Sequence, residues 1–287
     1  MARRQAPASS ACFPLPRLGG RYRWTIGRRL IASLLRTTAC PLVRKCRCFI
    51  TLDKIITLAN SKGGVGKSTA CVGLAGAYAK AGLRTHIVDL DGNRTISRWL
   101  ANDKTRPVNL TVSAPDPQTL TEHLQETASR YAPNIILIDI AGSFEAALTI
   151  AIARAHLTII PACTTEADIY EAARVARHIE TVFAAFHRTP LYRLLATKVA
   201  PLPTHAQAHG FKEMARLKLP LLSTIIAQRA AYEEIGFSGL PPHFAEAGRA
   251  TTAKAVAELD QLRLEIDALL ADKLDDAAEL TRTEASA

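Results

Sequence analysis

One glycine-rich segment of this 287-residue chain carries the residue types that bind phosphate groups. Residues 61–69 read Ser-Lys-Gly-Gly-Val-Gly-Lys-Ser-Thr. Glycines let the backbone approach phosphate oxygens closely and direct its N–H groups at them. The Lys67 ammonium can reach the outer phosphates of a nucleotide, and the Ser68 hydroxyl is a suitable oxygen ligand for Mg²⁺. The pattern therefore predicts a site for a nucleotide phosphate chain and a magnesium ion.

The sequence on either side of the glycines supports such a loop. An apolar run at residues 55–59 predicts a buried strand before it, and residues 70–81 predict a helix after it. The N-terminus of that helix would add the positive end of its dipole to the site. Ser61 stands where the usual pattern has its first glycine. A plain glycine-rich surface turn is the alternative, and the flanking strand and helix disfavour it.

A second lysine, Lys62, stands beside the glycines. The form K-G-G-x-G-K-[ST]-T resembles the deviant Walker A loop of the ParA/MinD ATPases. The resemblance implies that Lys62 crosses a dimer interface to the phosphates of the partner's nucleotide, and that Lys62 and Lys67 are catalytic. It also implies an ATP-dependent homodimer with Mg²⁺. The loop residues that this resemblance assigns to cofactor binding are Lys62, Gly63, Gly64, Val65, Gly66, Lys67, Ser68 and Thr69.

Two carboxylates follow the second apolar run of the chain. Asp89 and Asp91 are two residues apart, so on an extended backbone they point to the same side. The segment resembles the family motif D-x-D-P-Q, with Gly92-Asn93 in place of Pro-Gln. The resemblance implies that Asp91 positions or polarises the attacking water and that Asp89 supports Mg²⁺ and its waters. The structural alternative is that Asp91 or Asn93 caps the following helix.

Asp139 ends another apolar run, residues 134–139. Such a strand resembles the Walker B strand, whose terminal carboxylate holds Mg²⁺ through water. The family commonly continues with Thr-Pro or Thr-X-Gly, whereas this chain has Ile140-Ala141-Gly142. We expect Gly142 to offer a backbone N–H near the γ-phosphate. The alternative is a carboxylate that merely caps the strand end.

Two later segments also resemble the family. Residues 159–168 resemble the pattern P-x-x-P-x-x-x-D, which borders the dimer interface there, although Thr165 and Asp168 also form an altered capping box. Lys198 and Pro201 follow the sixth predicted strand, in a turn that lies against the adenine base in similar proteins. We therefore assign both residues to cofactor binding.

A third segment, residues 228–232, resembles an Arg-containing stretch that follows the seventh strand of plasmid ParA proteins. An ordinary start of a surface helix explains this segment equally well.

Alternating apolar runs and helical segments predict the elements that position these residues. Strands are predicted at 54–59, 84–89, 109–113, 134–140, 156–161, 192–197 and 221–226. Helices are predicted at 67–81, 93–102, 117–130, 144–154, 166–186, 205–217 and 228–236, with a last one from Phe244 to Leu274. The alternation predicts an α/β fold with a doubly wound, mostly parallel sheet covered by helices on both faces. Ligands of such sheets bind at the carboxyl ends of the strands, where these motifs fall.

The positive charge of the chain is concentrated at its N-terminus. Residues 1–52 hold 11 of the 36 Lys and Arg residues and no Asp or Glu, which leaves the rest of the chain close to neutral. We predict a basic extension at 1–51, an ATPase domain at 52–274 and an acidic flexible tail at 275–287. The extension is a basic arm, a targeting peptide or a segment outside the working protein. No stretch of the sequence predicts a membrane span.

The resemblance implies a slow ATPase that dimerises on ATP, binds DNA non-specifically and partitions plasmids or chromosomes with a ParB-like centromere-binding protein. Its location would be cytoplasmic and nucleoid-associated. Basic residues that could contact DNA phosphates are scattered, and a solvated helix face is the alternative for them. They are Arg174, Arg177, His178, Arg188, Arg193, Lys212, Arg216 and Lys218.

Other functions stay open at the level of the sequence. Residues 89–99 resemble the VirC-type branch that assists conjugative DNA transfer, and the altered motifs leave room for a non-hydrolysing ATP-dependent adaptor. A MinD-type membrane switch would need a basic amphipathic C-terminal helix, which the acidic residues 271–287 do not offer. In an iron–sulfur reductase-like protein, Cys71 would be misplaced for a cluster. A dethiobiotin-synthetase-like ligase has no discriminating motif here.

Overall fold

The computed structural model describes residues 54–101, 106–140, 145–202, 204–245 and 250–284. The side chains of Glu145 and of residues 274–284 are not part of this description. The predicted extension at 1–51 and the backbone N–H expected from Gly142 therefore lie outside the described residues.

A six-stranded parallel sheet forms the centre of the domain, as the alternating pattern predicts. Its strands are β1 (Lys54–Ala59), β2 (Thr85–Leu90), β3 (Leu110–Ser113), β4 (Ile135–Ile140), β5 (Leu157–Ala162) and β6 (Tyr192–Ala196). Their order across the sheet is β3-β2-β4-β1-β5-β6. The strand that carries the glycine loop thus lies between β4 and β5. The register pairs Asp89 of β2 with Asp139 of β4.

Helices follow the strands along the chain. They are α1 (Lys67–Lys80), α2 (Thr95–Trp99), α3 (Leu120–Tyr131), α4 (Glu145–Arg154), α5 (Glu166–Ala184), α6 (His205–Arg216), α7 (Ala230–Glu233), α8 (Ile235–Ser238) and α9 (Ala250–Glu284). Short 3₁₀ turns occupy Pro117–Thr119 and Pro242–Phe244. Helix α9 continues beyond residue 274, the predicted domain boundary, and the flexibility of the tail stays a prediction. None of the helices described here has an apolar stretch long enough to cross a lipid bilayer.

The sheet is covered on both faces, because alternate residues of its central strands enter two separate cores. In β4, Ile135 and Leu137 join the core that contains α1 and α9, and Ile136 and Ile138 join the core that contains α4 and α5. Burial on both faces explains why the strands read as continuous apolar runs.

Helix α9 packs closely against α1. Leu259, Leu262 and Ile266 are fully buried, which confirms the predicted apolar stripe of this helix. A Cβ atom added to Gly73 of α1 would lie 2.8 Å from Leu259, so the glycine permits this close approach.

The predicted strand at 221–226 is wrong. Isolated bridges at Leu221 and Ala227, and backbone N–H donations from Leu222 and Ile226 to β6, join this segment to its neighbours without forming a strand. Between them the backbone N–H groups of Ser223 and Thr224 donate to the Glu265 carboxylate of α9, at 2.7 and 3.0 Å. Those two donors are thereby lost to a strand ladder, and the segment follows β6 only at its ends.

Two predicted helices are shorter than expected. The helix predicted at 93–102 spans only Thr95–Trp99, because Arg94 adopts a left-handed conformation with φ 48°. The helix predicted at 228–236 is replaced by α7 and α8, and Gly239 ends α8 with φ 67°. Both short segments lie beside the cleft described below.

Candidate nucleotide-binding site

The glycine loop joins the carboxyl end of β1 to the N-terminus of α1. Gly64 and Gly66 have φ angles of 79° and 86°, a backbone region that residues with a Cβ rarely adopt. No side chain caps the N-terminus of the 14-residue helix α1, so its first backbone N–H groups can donate to a ligand. The loop therefore has the backbone shape and the helix terminus that bind phosphate.

Three polar contacts fix the loop to the sheet. The Asn60 amide donates to the carbonyl of Pro161 at 2.7 Å and accepts from the backbone N–H of Lys62 at 2.9 Å. The Thr197 hydroxyl, just beyond β6, donates to the carbonyl of Val65 at 2.8 Å. Sequence reasoning did not single out Asn60 or Thr197 as site residues, because their partners Pro161 and Val65 are distant in the chain.

Lys67 lies inside the loop. Its ammonium donates to the carbonyl of Lys62 at 2.9 Å, and only 9% of the residue is exposed. Burial lowers the pKa of Lys67, an effect that the carboxylates of Asp139 and Asp91 oppose. A cation so placed is suited to neutralise charge on the outer phosphates of a nucleotide.

Ser68 and Asp139 form the part of the site that fits a divalent cation. The Ser68 hydroxyl donates to Asp139 Oδ2 at 2.6 Å, and the buried Oδ1 has no hydrogen-bond partner among the described residues. Burial raises the pKa of Asp139 to about 7; the bond from Ser68 opposes this rise and Asp89 adds to it. A cation would stabilise the ionised carboxylate.

The donor set at Ser68 and Asp139 suits Mg²⁺ in particular. Across the described residues no group of three or more His, Cys, Asp or Glu side chains is arranged for a metal ion. Magnesium needs fewer protein ligands than that, since it keeps several waters and binds phosphate oxygens. The predicted metal residues Ser68 and Asp139 are thus brought together.

Asp89 makes several hydrogen bonds within its own chain. Its carboxylate accepts hydrogen bonds from the backbone N–H of Asp91 at 3.2 Å and from the N–H and hydroxyl of Ser97 at 2.8 and 2.9 Å. These bonds anchor α2 and occupy both oxygens. The alternative in which Asp91 or Asn93 caps this helix is wrong, since Arg94 is the N-cap residue and the anchoring carboxylate is Asp89.

Asp91 lies partly exposed beyond β2. Its carboxylate accepts the backbone N–H of Asn93 at 2.8 Å, which forms a local turn. The residue borders an open cleft of about 230 Å³, lined also by Arg94 and Asp116. Water therefore has room beside this carboxylate.

The predicted interface lysine makes an ion pair within its own chain. Lys62 Nζ lies 2.6 Å from Asp168 Oδ1 of α5, and 40% of the lysine side chain is exposed. The Ser61 hydroxyl donates to Glu171, one turn further along α5, at 2.5 Å. Thr165 accepts the N–H of Asp168, which confirms the predicted cap of α5. Asp168 thus takes part in the cap formed by Thr165 and also binds Lys62. Sequence reasoning predicted the cap but not the ion pair.

A second cleft of about 230 Å³ opens beside the end of the loop, next to Gly66 and Thr69. Of the two residues predicted to bind the cofactor beyond β6, Lys198, which has φ 52°, lines this cleft, whereas the exposed Pro201 is not among the lining residues. Arg229 and Tyr232 also line it. The segment 228–232 therefore lies at the cleft.

Comparisons with known proteins agree with this geometry. A family model described as the CobQ/CobB/MinD/ParA nucleotide binding domain matches residues 56–242. Protein virC1 from Rhizobium radiobacter is 29% identical over 196 residues, which cover 59% of this chain and 85% of that protein. Protein ParA from the same organism is 24% identical over 226 residues, which cover 77% and 99%.

Solved structures share the fold. A variant of McdA from Cyanothece, solved as an ATP complex, has a TM-score of 0.60 at 11% identity and covers 76% of this chain and 97% of that one. At such identity the similarity concerns the fold.

Proposed function

The chain belongs to the CobQ/CobB/MinD/ParA nucleotide-binding family, and from this premise we propose that it is a ParA-type ATPase. It binds ATP and Mg²⁺, forms a homodimer around the nucleotide, and binds DNA without sequence preference. With a ParB-like centromere-binding partner it partitions plasmid or chromosomal DNA. The relative named ParA, which this chain matches over 99% of its length, supports the partition role.

One observation carries this proposal: a glycine loop, a buried lysine and an incompletely bonded carboxylate meet at one sheet edge. Lys67 lies inside the loop, and Ser68 bonds to Asp139, whose second oxygen has no partner among the described residues. A buried carboxylate oxygen without a partner costs free energy, and a cation bound at this oxygen would remove that cost. Bound Mg²⁺ would neutralise negative charge on the nucleotide phosphates.

The residues of this chain have separate parts in hydrolysis. Water attacks the γ-phosphorus: a bond forms between the water oxygen and phosphorus, and the bond between phosphorus and the β–γ bridging oxygen breaks, so that ADP leaves. The proton of the water is released with the inorganic phosphate. Lys67 and the loop N–H groups stabilise charge on the transferring group and on the leaving oxygen. Asp91, which borders an open cleft, orients the attacking water. Such chemistry needs positioning and charge neutralisation rather than a covalent intermediate.

Lys62 links hydrolysis to dimerisation. In the single chain it is paired with Asp168, yet 40% of its side chain is exposed, so a partner's phosphates can reach it. An ion pair this exposed stabilises the single chain only weakly, because solvent screens it. A triphosphate carries more charge than one carboxylate, and the exchange from Asp168 to the partner's nucleotide is therefore favourable in a dimer.

A dimer also explains how a nearly neutral domain can bind DNA. Arg188 and Lys273 flank the Phe183 ring, with Arg188 Cζ 5.4 Å and Lys273 Nζ 6.0 Å from its centroid. By contrast, Arg174 and Arg216 are paired with Glu171 and Glu213. A dimer would carry the charges of Arg188 and Lys273 twice. Phosphate contacts by a few basic residues suffice for non-specific binding.

A VirC-type role in conjugative DNA transfer is the second candidate. It is favoured by protein virC1, whose identity to this chain, 29%, exceeds the 24% of ParA. Both candidates share the ATP-dependent dimer and the DNA surface, and they differ in the partner protein. An iron–sulfur role is disfavoured, since Cys71 is fully buried within α1.

Sizing of the protein with ATP, with ADP and without nucleotide tests the proposal. We expect a dimer with ATP only, and a monomer in every condition for Lys62→Ala. Lys212→Ala, which removes an exposed lysine of α6, is the matched control and keeps the dimer. A wild-type monomer in all three conditions would exclude the dimer switch. Phosphate release measured with and without DNA then separates a hydrolase from a non-hydrolysing adaptor.

A further inference from the structure

The cleft beside the phosphate loop has a wall whose shape depends on a distant helix. The loop fixes the phosphates, so the sugar and base of a nucleotide extend into the neighbouring cleft, an assignment that rests on the proposed function. Trp99 and Ile226 give this cleft apolar surface, and Arg229 and Tyr232 give it polar groups. What holds these last two side chains decides the shape of the wall.

A single glutamate of α9 binds both side chains. Glu258 Oε1 accepts hydrogen bonds from Nε and Nη2 of Arg229, the former at 2.9 Å. Glu258 Oε2 accepts the Tyr232 hydroxyl at 2.8 Å. Both oxygens are thus committed to the wall. The pair of Arg229 and Glu258 is largely buried, with 17% of each side chain exposed.

Burial makes these contacts stronger than ordinary surface contacts. A charged hydrogen bond shielded from water is roughly twice as strong as a neutral one. The bond to Glu258 raises the pKa of Arg229, and burial followed by the charge of Glu258 raises the pKa of Tyr232 well above its usual value. The phenol stays protonated and keeps donating to the glutamate.

A second glutamate of α9 holds the beginning of the same wall. Glu265, two turns beyond Glu258, accepts the backbone N–H groups of Ser223 and Thr224. The segment 223–232 is therefore bound to α9 at both of its ends. Helix α9 acts as a fixed support for the part of the cleft that faces the nucleoside.

We propose that Glu258 is a positioning residue for the nucleoside half of the ligand. It holds Arg229 and Tyr232 so that the wall is ready for a sugar and base. The phosphate loop binds the triphosphate without it. Glu258 thereby sets how much tighter a nucleoside triphosphate binds than a bare triphosphate.

Binding of ATP and of inorganic tripolyphosphate, each with Mg²⁺, separates these two contributions. For Glu258→Gln we expect the Kd of ATP to rise roughly tenfold, the loss typical of one charged hydrogen bond. The Kd of tripolyphosphate stays unchanged. Asp260→Asn removes a neighbouring charge of α9, half-exposed, and leaves both constants unchanged.

Tyr232→Phe is a milder variant that keeps the packing and removes one contact of Glu258. We expect it to raise the Kd of ATP less than Glu258→Gln does. The double variant should bind ATP about as weakly as Glu258→Gln alone, because both changes remove the same hydrogen bond. This variant keeps the proposal testable where Glu258→Gln does not fold.

Two results would overturn the positioning role. One is an equal rise in the Kd of ATP and of tripolyphosphate in Glu258→Gln, which would indicate general loosening of the fold. The other is an ATP affinity unaffected by both variants. Failure of the wild-type protein to bind either ligand would instead remove the proposed function itself.

Discussion

At the scale of single residues, two aspartates that are neighbours in the sheet have different environments. Asp89 and Asp139 are paired in register across β2 and β4. Asp89 accepts three hydrogen bonds and anchors α2, whereas Asp139 accepts one and keeps an oxygen without a partner in the described structure. Both were predicted to serve Mg²⁺. The geometry favours Asp139 for the ion and Asp89 for the support of the loop that carries Asp91.

Replacement of each aspartate by asparagine tests this division. Asp139→Asn should abolish the gain in ATP affinity that Mg²⁺ provides, because the neutral amide binds the ion poorly. Asp89→Asn should keep that gain and lower the free energy of unfolding by about 1–3 kcal/mol, the cost of weakened buried hydrogen bonds. Titration of ATP with and without Mg²⁺, together with urea unfolding, measures both effects. Equal loss of the Mg²⁺ effect in the two variants would contradict the separate roles of Asp139 and Asp89.

The signature lysine gives a second prediction at this scale. Lys62→Ala should leave the free energy of unfolding nearly unchanged, since its ion pair with Asp168 is partly exposed and screened by solvent. Asp168 keeps its bonds within the cap of α5. Urea unfolding checks this value. A larger loss would mean that failure to dimerise reflects a damaged fold rather than a missing phosphate contact.

At the scale of elements, a buried polar network joins β2, β3 and α3. His86 is 1% exposed, and its ring nitrogens bond to the hydroxyls of Thr111 and Ser113 at 2.7 and 2.8 Å. Ser113 also bonds to His123 of α3 at 2.7 Å. Burial, with a smaller effect of His123, lowers the pKa of His86 to about 4. The network therefore needs a neutral imidazole.

The pKa of His86 predicts a loss of stability in acid. An unfolded histidine takes up a proton near pH 6.5, whereas the folded one resists until about pH 4. Between these values the unfolded state binds more protons, so the free energy of unfolding falls as the pH falls. The loss is on the order of 3 kcal/mol.

His86→Gln keeps a donor and an acceptor but does not titrate. It should flatten the pH dependence between pH 6.5 and 4, measured by urea unfolding at several pH values. A slope identical to that of the wild type would refute the assignment. His123, His156 and His243, whose pKa values are also lowered by burial, account for the slope that remains.

Helix α9 supplies a further prediction for an element. Glu265→Ala removes the acceptor of the Ser223 and Thr224 N–H groups, so those amides should exchange with solvent faster while the amides of β6 keep their protection. Hydrogen exchange resolved by residue is the measurement. Unchanged exchange at both positions would show that another acceptor replaces the carboxylate.

At the scale of the whole molecule, the distribution of charge matters more than its sum. Outside the basic first 52 residues the chain is nearly neutral. Folding nevertheless gathers Lys54, Arg188 and Lys273 near His156, whose pKa burial lowers first and these three cations lower further. Like charges held together favour an anionic partner.

DNA binding should depend on this cluster rather than on the helix face that carries Arg174. Arg188→Ala combined with Lys273→Ala should weaken binding to DNA of any sequence and reduce the slope of log K against log salt by about 1 for each lost phosphate contact. Arg174→Ala, whose charge is already paired with Glu171, is the control and should change little. Fluorescence anisotropy with ATP at several salt concentrations measures this. Loss of binding in the control alone would move the DNA surface to α5.

The sequence by itself determined the parts that depend on short segments. The glycine loop, the six strands of the sheet and the apolar stripe of α9 follow from local spacing, because backbone conformation and burial periodicity are set within a few residues. The loop lysines, Ser68, Asp91 and Asp139 were likewise identified from motifs, and the structure places them at one edge of the sheet.

The tertiary structure decided which of these groups have partners. Ser68 meets Asp139 across 71 residues of chain, and Ser61 meets Glu171 across 110, because the strand order places β1 between β4 and β5. The same long-range packing binds Glu258 and Glu265 to the cleft wall and replaces the expected strand at 221–226. Hydrogen bonds between distant segments depend on how the helices and strands pack, and no local pattern encodes them.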